Sequence, residues 1–145
     1  MTYPWSSEFE TGNWVIDDQH RHLLELAGLL SRTVESAPFG SATAEALSAL
    51  ERYVRFHTGE EEAFLAAIAA PSLARHRRLH ASIAMEIEAL RFRMESGAGD
   101  IGLRLARWVR ASLVPHFVRD DAAALAETRR RGSARRVEAV QTLGS

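Results

Sequence analysis

The chain has 145 residues, of which 46% are hydrophobic and 26% charged, so it is long enough to form one domain around a single core. Its formal net charge is −1, so we expect it to bind neither nucleic acid nor an anionic membrane. It contains no cysteine, which excludes disulfides and thiol chemistry and leaves any metal to nitrogen and oxygen donors.

Residues 1–15 carry four aromatic side chains among Pro, Ser, Thr, Gly and Asn, without helical periodicity. We expect an arm that packs its rings over the end of a helical bundle. The first residues also lack a basic region followed by an apolar stretch, so we expect no secretory signal. The longest apolar run, 63–70, is too short to span a bilayer. These features predict a cytoplasmic protein.

The first two helices are predicted from apolar residues at steps of three and four. The first is capped by Asp17 or Asp18 and ends at residues 37–40, which read Ala-Pro-Phe-Gly. The second begins at Ser41 or Thr43 and has the clearest apolar stripe. Their inner faces carry His20, Leu23, Leu24, Ala27 and Leu30, and then Leu47, Leu50, Val54, His57, Glu61, Phe64, Leu65 and Ile68.

Two further helices are predicted after Pro71, separated by Ser-Gly-Ala-Gly at 96–99. Pro115 interrupts the fourth helix, because it removes a backbone hydrogen bond and disfavours the helical conformation at Val114. We therefore predict a kink or a restart between Ser112 and Pro115. The inner faces carry Leu73, His76, His80, Ile83, Ile87, Leu90 and Met94, and then Ile101, Leu105, Trp108, Val109, Ser112, His116 and Phe117.

Four helices with short connections predict an all-α fold, an antiparallel up-down-up-down four-helix bundle. We assign residues 1–121 to this domain, with the aromatic arm at its amino-terminal end. Residues 122–145 are alanine-rich and then basic, with five arginines between 127 and 138, and are predicted to be either a short extra helix or a loose tail.

The polar residues of the inner faces are nearly all His, Glu or Asp, and two pairs recur at a spacing of four. Residues four apart stack on one helix face with about 6 Å between Cβ atoms, which suits two ligands of one metal ion. Burying so many ionisable groups without a partner is costly, so the set predicts a metal centre. Seven donors exceed the need of one ion and suit two. They are His20, His57, Glu61, His76, His80, His116 and one of Asp120 and Asp121.

The choice between the two aspartates depends on the geometry of the fourth helix. On an ideal helix Asp120, four residues after His116, is better aligned than Asp121, five residues after it. Distortion at Pro115 could bring either carboxylate inward, and ideal geometry favours Asp120.

Neighbouring ionisable residues are expected to play a lesser part. His22 follows His20 by two residues, about 200° around the helix, and is predicted to face solvent. Glu61 is nearly in line with the histidine four residues before it. Glu60 is moderately displaced from that line and remains an alternative, whereas Glu62 points well away.

With this pattern the chain resembles the hemerythrins, specifically the single-domain bacteriohemerythrins. The resemblance implies a non-haem di-iron centre, with an oxo or hydroxo bridge, that binds dioxygen reversibly. The family motif also selects Asp121 over the aspartate favoured by ideal geometry. The matching residues are Trp5, Phe9 and Gly12, Ile-Asp-Asp-Gln-His20, His57-x-x-x-Glu61, His76-x-x-x-His80 and His116-x-x-x-x-Asp121.

The resemblance also implies a role for each residue. The carboxylates of Glu61 and Asp121 would bridge two irons, and together with the five imidazoles and a bridging oxygen atom they would fill all but one of the positions of two octahedral ions. The open position lies on the iron that has only two histidines, as expected for a site that binds a small molecule. One iron is assigned to His76, His80 and His116, and the other to His20 and His57. The family's oxygen pocket falls on Leu23, Thr58, Ser112, Leu113 and Phe117.

Three functions fit this reading. The first is carriage, storage or delivery of dioxygen, favoured because the di-iron oxidases use more carboxylates and paired Glu-x-x-His motifs. The second is a redox or oxygen sensor that acts through an unidentified partner protein. The third is an enzyme that handles peroxide or nitric oxide, suggested by Thr58 and Ser112, which stand where the family usually places Phe and Trp in the pocket.

Overall fold

The structure, a computed structural model, describes residues 2–127. Within these residues the fold is entirely helical and contains no strand. The helices are α1 (Trp14–Ser36), α2 (Ser41–Ala67), α3 (Leu73–Glu95) and α4 (Ile101–Trp108). Two π-helical stretches, Val109–Leu113 and His116–Asp121, continue the fourth helix, and a helical turn follows over 122–127. The predicted four-helix fold is confirmed.

The start of α1 differs from the prediction. Asn13, rather than Asp17 or Asp18, is the cap, because its side-chain oxygen accepts hydrogen bonds from the backbone N–H groups of Val15 and Ile16. Asp17 lies buried in the first turn. Its carboxylate accepts bonds from the backbone N–H and the hydroxyl of Thr11, at 2.9 and 2.7 Å, and so ties the arm to the helix.

The arm contains a single 3₁₀ turn, Ser7–Phe9, and packs only part of its aromatic set. The rings of Trp5 and Phe9 meet edge to face at 5.8 Å, and the guanidinium of Arg21 lies over Trp5 at 4.4 Å. Trp14, predicted to be part of the arm, is instead the first residue of α1 and is exposed.

The fourth helix widens on both sides of Pro115 instead of breaking there. Val114 keeps right-handed helical angles (φ −62°, ψ −47°), so the expectation that the proline would displace it is wrong. A proline in a helix removes one donor and crowds the carbonyl four residues earlier. Here the chain is π-helical in the stretch before Val114 and again after Pro115, a form of helix distortion frequent at functional sites.

The core consists of two apolar clusters with an ionisable layer between them. The larger includes Leu23, Val54 and Ile83, and the smaller includes Leu65 and is extended by partly buried neighbours. Along α1 and α3 the chain passes from the smaller cluster through the layer to the larger one, and along α2 and the fourth helix it passes in the opposite order. This alternation is the order that an up-down-up-down bundle requires.

Packing continues beyond the predicted domain boundary at residue 121. Ala124 and Leu125 are buried, and Leu125 belongs to the smaller apolar cluster with Ile16 of α1. Residues 122–127 are helical, whereas the remainder of the predicted tail, 128–145, lies outside the described residues. No helix in the described part of the chain is both long enough and apolar enough to cross a membrane.

Candidate metal centre

The seven side chains predicted as metal ligands meet in the ionisable layer between the two apolar clusters. All seven are buried, and they come from four different helical elements. α1 supplies His20, α2 supplies His57 and Glu61, α3 supplies His76 and His80, and the second π-helical stretch supplies His116 and Asp121.

The carboxylate of Asp121 lies between two groups of histidines. Its Oδ2 is 2.9 Å from Nε2 of His20 and 2.9 Å from Nε2 of His57. Its Oδ1 is 2.8 Å from Nε2 of His76 and 3.2 Å from Nε2 of His116. One oxygen thus faces each group, which is the arrangement expected of a carboxylate that joins two metal positions.

Glu61 spans the same two groups from the opposite helix. Its Oε1 is 3.1 Å from Nε2 of His76, and its Oε2 is 3.4 Å from Nε2 of His80 and 3.5 Å from Nε2 of His57. The neighbouring Glu60 is exposed. Of the acidic residues near position 61, it is Glu61 whose carboxylate enters the layer.

The donor set fits a pair of metal ions. In the described part of the chain, both oxygens of Glu61 and the Nε2 atoms of His80 and His116 are buried without a well-formed hydrogen bond. The Nε2 atoms of His20 and His57 face each other at 3.3 Å. Buried polar atoms are rarely left unpaired, and a metal ion supplies the missing partner. Two subsets have ligand atoms within 4.8 Å of one another, namely His76, His80, His116 and Asp121, and His20, His57 and Asp121.

Both carboxylates are held in the ionised form. Burial by itself raises the pKa of Asp121, but hydrogen bonds from His20, His57 and His76 outweigh it and hold the pKa well below its usual range. Burial likewise raises the pKa of Glu61, but the nearby imidazoles of His76 and His80 bring it below its usual value. Anionic oxygens at the centre of the layer suit a bridging role.

The pKa values of the three histidines in the larger group, His76, His80 and His116, are shifted in different directions. Burial lowers the pKa of His76, but its bonds to Asp121 and Glu61 prevail and raise that pKa to about 10. The pKa of His80 is also raised against burial, by Glu61 and Glu62. Burial dominates at His116 and lowers its pKa. Without metal, therefore, protons hold part of this layer together, and binding a metal ion must displace them.

The π-helical stretch explains which aspartate enters the layer. Its wider turn places Asp121, five residues after His116, where an α-helix would place the fourth residue. Asp120 is left 40% exposed, and its carboxylate is 3.3 Å from the opposite ring nitrogen, Nδ1, of His116. The preference for Asp120 from ideal helical geometry is therefore wrong, because the helix is not α-helical at this point.

Three polar residues outside the set of seven lie against the outward nitrogens of the layer's histidines. Asp120 lies against Nδ1 of His116, as described above. Gln19 Oε1 accepts from Nδ1 of His57 at 2.8 Å, and Glu62 Oε2 accepts from Nδ1 of His80 at 3.0 Å. Such partners orient a metal-binding imidazole and make it more basic. The available signal was adjacency, since each of the three directly precedes or follows a predicted ligand in the sequence.

The five predicted pocket residues do not share one environment. Leu23, Leu113 and Phe117 are fully buried together in the larger apolar cluster. Thr58 is half-buried and its hydroxyl donates to the carbonyl of Arg55. Ser112 is exposed and lines a surface groove of about 500 Å³ between α3 and the fourth helix.

Phe117 connects the apolar cluster to the histidines. The centre of its ring lies 5.9 Å from that of His20, 5.4 Å from that of His57 and 5.5 Å from that of His116.

His22, predicted to face solvent, is indeed exposed, with 47% of its side chain accessible.

A buried layer of five imidazoles and two carboxylates inside a four-helix bundle defines a helical metal-binding protein. The sequence model of the Hemerythrin HHE cation binding domain matches residues 11–127. The chain belongs to this family, and the resemblance seen in the sequence is confirmed.

Several relatives carry the name bacteriohemerythrin. The protein of Pseudomonas paraeruginosa is 27% identical over 118 residues, which cover 81% of this chain and 76% of the relative. That of Stenotrophomonas maltophilia is 26% identical over 122 residues, covering 82% and 76%. That of Clostridium acetobutylicum is 32% identical over 91 residues, covering 60% and 70%.

Proposed function

We propose that the protein binds dioxygen reversibly at a non-haem di-iron centre and serves its carriage, storage or delivery in the cytoplasm. One observation carries the proposal: the carboxylates of Glu61 and Asp121 each face histidines of both groups, inside a layer closed to solvent. Two metal positions sharing two carboxylates account for this arrangement. The family membership and the bacteriohemerythrin relatives support iron over the other metals that imidazole-rich sets accept.

Each part of the layer has a proposed task. His76, His80 and His116 form what we call the three-histidine position, and His20 and His57 form the two-histidine position. Glu61 and Asp121 join the two positions and balance their charge. When bound, the iron pair supplies the electrons for reversible binding of dioxygen.

Apolar residues on one side of the layer exclude water from the proposed oxygen pocket. Phe117 covers the rings of His20 and His57, and Leu23 and Leu113 are buried with it in the larger cluster. A dry cavity suppresses the proton leakage and side reactions that would end reversible binding. We propose these three residues as the pocket wall. Since Ser112 is exposed, we place it outside the wall.

The test is metal analysis combined with optical spectra. Protein expressed with ample iron should contain about two irons per chain. After anaerobic reduction, its spectrum should change when air is admitted and return when the oxygen is removed. A content near one ion per chain, or zinc in place of iron, would overturn the di-iron proposal.

Matched variants separate loss of a ligand from a general effect of losing a histidine. His57→Ala and His80→Ala should each lower the metal content, because each removes a donor from the layer. His22→Ala removes an exposed imidazole and should keep the full content. Equal loss of iron in all three variants would refute the assignment of the inner faces.

The side chains near the layer favour a carrier over an enzyme that handles peroxide or nitric oxide. An enzyme of that kind would use the hydroxyl groups of Thr58 and Ser112 in the pocket. However, Ser112 is exposed, and the hydroxyl of Thr58 donates to the carbonyl of Arg55. A spectral change in air that does not return when oxygen is removed would favour the enzyme instead.

A further inference from the structure

We infer that the two metal positions differ in affinity, and that Glu62 and Asp120 act as positioning residues that make the three-histidine position the tighter one. It is the position that fills first and empties last. This inference rests on the proposed function only in requiring two metal positions per chain. It concerns metal binding, and so it is tested without any measurement of oxygen binding.

The first step is the chemistry of the partners at the outward ring nitrogens. At the three-histidine position two of the histidines have carboxylate partners: Glu62 accepts from Nδ1 of His80 at 3.0 Å, and the carboxylate of Asp120 is 3.3 Å from Nδ1 of His116. An imidazole that donates to a carboxylate is held in one orientation and one tautomer, and its other nitrogen becomes a stronger donor.

The two-histidine position has a different surrounding. Nδ1 of His57 donates to the neutral amide oxygen of Gln19, which fixes the ring without adding charge. Nδ1 of His20 is buried and has no hydrogen-bond partner among residues 2–127. Both imidazoles are therefore weaker donors than those that face Glu62 and Asp120.

The surroundings of the carboxylates of Glu62 and Asp120 suit a positioning role. The side chain of Glu62 is only 27% exposed, and Nε of Arg77 lies 3.4 Å from its other oxygen, so the carboxylate is held in place next to His80. Asp120 is 40% exposed and its bond is longer, so we expect it to contribute less. The number of histidines and the charge of their outer partners thus favour the same position.

The experiment is a titration of metal-free protein with Co²⁺ against a competing chelator, followed by absorbance and calorimetry. The native chain should bind two Co²⁺ ions in two separate steps. Glu62→Gln keeps a hydrogen-bond acceptor of the same size but removes the charge. It should weaken the first step about 10-fold and leave the second unchanged. Asp120→Asn should weaken the first step by a smaller factor.

Three further variants assign the steps and test the converse. His80→Ala should abolish the tight step, and His57→Ala should abolish the weak one. Gln19→Glu places a carboxylate against His57 and should strengthen Co²⁺ binding in the weak step. The difference in affinity between the two steps should therefore become smaller. Thermal unfolding of each metal-free variant checks that it folds. If Gln19→Glu does not fold, the comparison of Glu62→Gln with the native chain still decides.

The outcomes are distinguishable. Binding of only one Co²⁺ by the native chain would refute the di-metal proposal itself. Two Co²⁺ bound with equal affinity would leave that proposal standing and overturn this inference. Equal weakening of both steps by Glu62→Gln would also overturn it, because it would show that Glu62 acts on the fold as a whole.

Discussion

Nε2 of His116 lies 3.2 Å from Oδ1 of Asp121, although five residues separate the two along the fourth helix. Asp120, one residue closer, reaches only the opposite nitrogen of the same ring. The two adjacent aspartates therefore flank one imidazole from its two sides. The widened π-helical turn makes this possible, because it shifts the following residues around the helix axis.

This relationship predicts different results for the two aspartates. Asp121→Ala should reduce the iron content to one ion per chain or fewer, since it removes an oxygen ligand that faces all but one of the histidines. Asp120→Ala should retain two irons when iron is in excess. Elemental analysis of both variants decides, and full iron content in Asp121→Ala would show that Asp120 can take its place.

The metal-free protein should lose stability as the pH rises from about 6.5 to about 10. The pKa of His76 is raised from 6.5 to about 10 in the folded state by Asp121 and Glu61, despite its burial. A raised pKa contributes stability that is complete below the unfolded-state value and is lost as the pH passes through the folded-state value. The raised pKa of His80 acts in the same direction.

Urea unfolding in the presence of a chelator, repeated across this pH range, measures the effect. His76→Gln should flatten much of the slope, and the metal-loaded native protein should lack this dependence because metal binds the neutral imidazole. A free energy of unfolding that stays constant or increases from pH 6.5 to 10 in the metal-free native protein would contradict the prediction.

Gly59→Ala should stabilise the protein by about 0.5–1 kcal/mol, because glycine is unfavourable inside a helix. Gly59 lies within α2, is exposed, and a Cβ added there would meet no atom within 4 Å. The iron content should not change. Ala63→Gly, at an exposed position of the same helix, is the converse control and should destabilise by a similar amount. Chemical denaturation measures both, and a loss of stability in Gly59→Ala would mean that the glycine is needed for the packing of the layer.

Leu113→Ala should lower the free energy of unfolding by roughly 2–5 kcal/mol, since it opens a cavity at a fully buried position. It should also hasten the oxidation of the reduced protein by air, because water gains access to the proposed pocket wall. The adjacent and exposed Ser112→Ala should change the stability by no more than about 0.5 kcal/mol and leave the oxidation rate as it is. Absorbance after admission of air gives the rate, and equal rates in the two variants would remove Leu113 from the wall.

Much of the fold and most of the predicted ligands could be read from local spacing. The pairs His57 with Glu61 and His76 with His80 repeat the period of an α-helix, so their side chains share a helix face before any tertiary contact forms. The apolar stripes around them follow the same period and predicted the four-helix fold.

Tertiary structure decided the features in which local geometry departs from the ideal or distant residues meet. The period of an α-helix could not locate Asp121, because the fourth helix is π-helical there. Nor could it show that Gln19 bonds to His57, since the two residues lie on different helices. Helical periodicity depends on neighbours within one turn, whereas these contacts depend on how the helices pack. That is why the residue types of the candidate site could be predicted from the sequence, but not the partner of each ring nitrogen.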